Sequence, residues 1–70
     1  MDATQKKIWY QWRLMHFRAQ TLAAQLELTA YHSNMGYAIQ QELTELNGQM
    51  AEIEDEHDWL APVIADSFHD

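Results

Sequence analysis

Between Thr4 and Tyr31 the apolar residues fall into two interleaved series. The first, Ile8, Trp9, Trp12, Met15, Ala19, Leu22, Ala23 and Leu26, steps by threes and fours, as one side of a helix does. The second, Tyr10, Leu14, Phe17, Ala24, Leu28 and Tyr31, steps by alternate fours and threes and is interrupted only by Thr21. At about 100° per residue the two series occupy opposite sides of one cylinder. Two polar rows separate them, Lys6, Arg13, Gln20 and Glu27 on one flank and Gln11, Arg18 and Gln25 on the other. The pattern predicts a helix over about residues 4–31 that is apolar on two sides.

The stretch His32-Ser33-Asn34-Met35-Gly36 is the polar, turn-competent break in the middle of the chain. Ser33 or Asn34 suits a helix N-cap, and the glycine is read as letting the backbone reverse. A second helix over about residues 35–60 follows, with Ile39, Leu43, Leu46, Met50, Ile53, His57 and Leu60 forming a narrow heptad seam. Gly48 lies off that seam and lowers local helix propensity by about 1 kcal/mol relative to alanine. Pro62 disfavours helical geometry at Ala61, which predicts an end near there and a short final helical turn over 62–68.

The fold class is therefore all-α, an antiparallel hairpin in a single domain over residues 1–70. One continuous helix through residue 36 is the competing topology, but the stripe shifts register across residues 29–39 and would demand a stutter. Reversal near Ser33 makes neighbours of positions whose numbers sum to about 67. Arg13 is then expected near Glu54, Arg18 near Glu52, Lys6 and Lys7 near Asp58, and Trp59 near Trp9 and Trp12.

One helix covers only one side of another. The side from Tyr10 to Tyr31 spans about 32 Å, and leaving it in water would expose a large apolar patch. Pairing two hairpins through Tyr10, Leu14, Phe17, Ala24, Leu28 and Tyr31 gives a homodimeric four-helix bundle, the expected assembly.

Charge narrows the function classes. Of 70 residues, four are Lys or Arg and 11 are Asp or Glu, a net charge of −7. All four cations precede residue 19, opposed in that half only by Asp2 and Glu27; the remaining nine acids follow Met35. This balance repels phosphate, so neither direct nucleic-acid binding nor anionic membrane association is expected. The start of the chain lacks the pattern of a secretion signal, and the longest apolar run, Trp59 to Ala65, falls far short of the roughly 20 residues that cross a bilayer. A soluble, cytoplasmic chain is expected. With no cysteine, no disulfide is available to support a small core.

Candidate chemistry is sparse. Glu54 and His57 stand three apart, the spacing of carboxylate-bridged metal bundles, but the first helix supplies no matching glutamate near them, only His16. Ser33 and Ser67 have no evident base, and His16, His32, His57 and His69 are dispersed. No glycine-rich phosphate loop is present. No catalytic residue, cofactor or metal is expected, and the chain is read as a non-enzyme. Met15 and Met50 read as core filler rather than a binding groove.

Glu52, Glu54, Asp55, Glu56 and Asp58, with Trp59 beside them, form an acidic patch exceeding what nearby cations neutralise. Such a patch serves as a solvated face or docks onto a basic patch of another protein. In size, charge and lack of catalytic groups the chain resembles phage- or plasmid-encoded regulators of host proteins, such as anti-activators, anti-CRISPR proteins and transcription antagonists. The resemblance is one of type and carries no residues across. It implies an inhibitor that acts by occlusion; a DNA mimic and a purely structural subunit are the alternatives. RNA-binding hairpin dimers share the outline but need a basic exposed face.

Overall fold

The computed structural model describes residues 1–68; His69 and Asp70, one of the dispersed histidines and one of the acids, lie outside the described residues. Those described form three helices and no strand: α1 (Ala3–Glu27), α2 (Asn34–Glu56) and α3 (Leu60–Ser67).

α1 starts at a reciprocal cap. The Asp2 carboxylate accepts from the Gln5 backbone N–H at 2.8 Å, and the Asp2 N–H donates to the Gln5 side-chain oxygen at 3.2 Å. It ends four residues before the predicted Tyr31. The Thr29 hydroxyl donates to the Gln25 carbonyl at 2.7 Å, while the Leu28 and Thr29 N–H groups close tight turns onto Gln25 and Leu26. These bonds satisfy the Gln25 and Leu26 carbonyls without another helical turn. Tyr31 thereby leaves the helical stripe and sits in the turn.

Ser33 is the cap of α2, accepting from the Gly36 N–H at 3.0 Å and donating to the Ala30 carbonyl at 2.6 Å. The expected role of Gly36 needs correction. Among the described residues none has positive φ, and Gly36 is a buried helical residue in the first turn of α2. A Cβ there would stand 2.5 Å from the Ala30 carbonyl oxygen and 2.7 Å from that of Tyr31. Glycine is required by close approach, not by chain reversal.

The expected end of α2 is also corrected. It stops at Glu56, with His57 at φ −133° and ψ 89°, and α3 begins at Leu60 rather than at Pro62. A helix continued through Pro62 would lose the hydrogen bond to Asp58 and clash with its carbonyl. Breaking at residues 57–59 puts Pro62 in the first turn of a new helix, where N–H groups have no helical acceptor in any case. The break also turns Leu60 inward until it is fully buried.

α1 and α2 run antiparallel: Trp12 meets Glu54 and Arg18 meets Glu42. Trp12, Ala19, Met50 and Leu60 make the central core cluster, with Trp9, Met15, Leu43, Leu46, Ile53, Trp59 and Ile64 packed against it. The first apolar series of α1, apart from the exposed Ala23, thus lies on the side its own chain covers, and Trp59 and Trp9 pack against the same core cluster.

Candidate functional site

Covering one side of α1 leaves the other uncovered. Tyr10 is 60% exposed, Leu14 52%, Phe17 70%, Leu28 91% and Tyr31 58%; Ala24 is exposed as well. Tyr10, Leu14, Phe17 and Ala24 lie on α1, Leu28 is its C-cap residue and Tyr31 lies in the turn beyond. Helix propensity and the N-terminal cap hold the stripe straight, and the buried opposite side fixes its direction.

The structure adds residues that the periodicity did not assign to this face. α3 folds back so that Phe68 packs on His16, with ring centroids 4.8 Å apart, and on Trp12 at 6.0 Å. Phe68, Tyr10, Leu14 and Phe17 then wall an open groove of about 340 Å³, with Arg13 and Gln20 supplying polar groups. The spacing Leu60, Ile64, Phe68 was the available signal, because steps of four place all three on one side of a helix. Met35 and Tyr37 are exposed near Tyr31 at the turn, and the Tyr37 hydroxyl lies 3.3 Å from His32 Nδ1.

The acidic candidates occupy the last turns of α2 and the break after it. Glu52, Glu54, Asp55, Glu56 and Asp58 are all exposed and Trp59 is half-buried. Glu54 is not held by Arg13; it accepts from the Trp12 indole N–H at 3.4 Å. Arg13 instead lies over the Trp9 ring, 5.8 Å from its centroid. Arg18 pairs with Glu42 at 3.1 Å rather than with Glu52, and this is the only ion pair among the described residues. The charge match between helices is thus narrower than the sum rule predicts, because side-chain rotation about each helix decides which acid a cation reaches.

His57, at the C-cap of α2, packs on Trp59 with centroids 5.7 Å apart, and His16 stacks on Trp12 at 5.0 Å. Among the described residues no three His, Cys, Asp or Glu side chains converge as a metal ion would need, and no helix is long and apolar enough to cross a membrane. The chain matches no protein-family model, no curated protein and no solved structure.

Proposed function

We propose that this protein is a non-enzymatic interaction module: an acidic homodimer of helical hairpins, forming a four-helix bundle, that binds another protein and inhibits or redirects it by occlusion. The observation that carries the reading is the uncovered side of α1. Three large apolar side chains of one helix, Tyr10, Leu14 and Phe17, are more than half exposed, with Leu28 following at its end. Contiguous patches of that kind mark interaction surfaces.

The surface area supports the same conclusion. The chain exposes 5317 Å², about 700 Å² more than a compact monomer of 8.3 kDa would. A standard interface removes about 800 Å² from each partner.

The partner is a protein with a basic patch, steered by Glu52, Asp55, Glu56 and Asp58 and anchored by aromatic groups such as Trp59. These acids crowd the C-terminal end of α2, where the helix dipole disfavours negative charge and no basic residue stands in the last turn. Stability alone does not account for them.

The test is to capture partners from the source cells with the tagged protein, beside a variant carrying Glu52→Gln, Asp55→Asn, Glu56→Gln and Asp58→Asn. A basic protein that binds the native chain at least about 10-fold more tightly than the variant, more weakly as salt rises, is the expected result. Equal binding by both chains, or recovery of the protein alone, contradicts the proposal.

A further inference from the structure

The row Lys6, Arg13, Gln20, Glu27 borders the uncovered stripe of α1, and its three charged members, Lys6, Arg13 and Glu27, make no ion pair among the described residues. The Arg13 guanidinium lies over the Trp9 ring, and the sole ion pair among the described residues belongs to Arg18 and Glu42. Glu27 is therefore an exposed anion and Arg13 an exposed cation on one row of one helix. They stand about 21 Å apart, with Gln20 midway.

Resting on the dimeric reading above, we propose that the occupant of the uncovered face is α1 of a second copy, antiparallel, with a two-fold axis beside Gln20. In antiparallel helix pairs each flanking row faces its own counterpart. The stretch of that row from Arg13 through Gln20 to Glu27, cation, amide and anion, is complementary to itself when reversed, while Lys6 falls beyond the end of the second copy's α1. Arg13 of each copy meets Glu27 of the other, and Gln20 meets Gln20.

The apolar positions agree with this register. Tyr10 comes level with Leu28 of the second copy, Leu14 with its Ala24, and Phe17 with its Thr21. Each large side chain on the stripe interior faces a small one, which interdigitated packing requires. The groove between Tyr10, Leu14, Phe17 and Phe68, with Arg13 beside it, lies where the second copy's Leu28 and Glu27 arrive. A parallel pair would instead set Phe17 against Phe17 and Ala24 against Ala24, and would bring Arg13 to the other flanking row, beside Arg18 of the second copy. The other row fits the antiparallel register because Arg18, brought near its counterpart at the axis, is already neutralised by Glu42.

The chain has no cysteine, so a single introduced one carries a spin label at a unique position. Lys6→Cys and Gln20→Cys are both exposed and off the apolar stripe. The antiparallel register predicts a label separation within about 20 Å at position 20 and about 42 Å at position 6, from 28 residues of helical rise. Short separations at both positions, or a long one at position 20, in a protein that is still dimeric overturn the register alone. A monomer overturns the dimeric reading with it. Charge reversal gives an independent reading: Arg13→Glu or Glu27→Arg weakens dimerisation on the order of 10-fold, and the double variant restores it to within about 3-fold. A double variant no better than the singles contradicts the pairing of Arg13 with Glu27.

Discussion

Gly36 and Gly48 lie on the same helix, yet an added methyl group meets different surroundings at each. At Gly36 it would enter the space of two backbone carbonyl oxygens, 2.5 Å and 2.7 Å away, which cannot rotate aside as a side chain can. At Gly48 nothing lies within 4 Å. Gly36→Ala is expected to cost about 1 to 3 kcal/mol through overpacking at the turn, whereas Gly48→Ala is expected to add about 1 kcal/mol through helix propensity. Urea denaturation of the two variants measures both; equal effects of one sign would contradict the turn geometry. The sequence makes Gly48 legible because a helix-interior glycine carries its penalty locally. The need for Gly36 was not legible, since it depends on where Ala30 and Tyr31 place their carbonyls after the chain has turned. The same limit applies to Trp12 and Glu54, whose hydrogen bond is set by the rotation of two helices about their axes.

At the scale of elements, the long helices were readable because their apolar periods persist over many turns, and the buried residues Trp12, Ala19, Leu22, Ile39 and Met50 are those the periods select. The ends were less readable. α1 stops at Glu27, where the Leu28 and Thr29 N–H groups turn back onto the Gln25 and Leu26 carbonyls, and α2 stops at Glu56 because the chain accommodates Pro62 by starting a new helix upstream of it. Moving that end to Glu56 puts Glu54, Asp55 and Glu56 in the last turn, against the negative pole of the dipole, with no lysine or arginine to offset them. Asp55→Asn with Glu56→Gln is therefore expected to stabilise the fold by about 0.3 to 1 kcal/mol per charge at low salt, and by less as salt screens the dipole. Thermal unfolding at about 0.02 M and about 0.5 M salt measures this. A lower midpoint for the double variant would show that these carboxylates stabilise the helix end.

The whole molecule is a thin slab. Its Cα extents are 43 × 26 × 16 Å and its radius of gyration is 14.1 Å, against about 11 Å for a compact domain of this length. Seventy residues in two long helices and one short one cannot wrap around the central helix. α1 is therefore packed on one side by α2, capped at one end by α3, and bare on the other side. That consequence was legible in the two apolar series, as were the candidate residues Tyr10, Leu14, Phe17, Ala24 and Leu28; the groove formed with Phe68 was not, because it depends on the fold-back of α3. Sedimentation equilibrium at micromolar concentration tests the central claim most directly. The account predicts a species of twice the 8.3 kDa chain mass, reduced to a single chain by Phe17→Glu. A folded native protein that sediments as one 8.3 kDa chain across that range contradicts it.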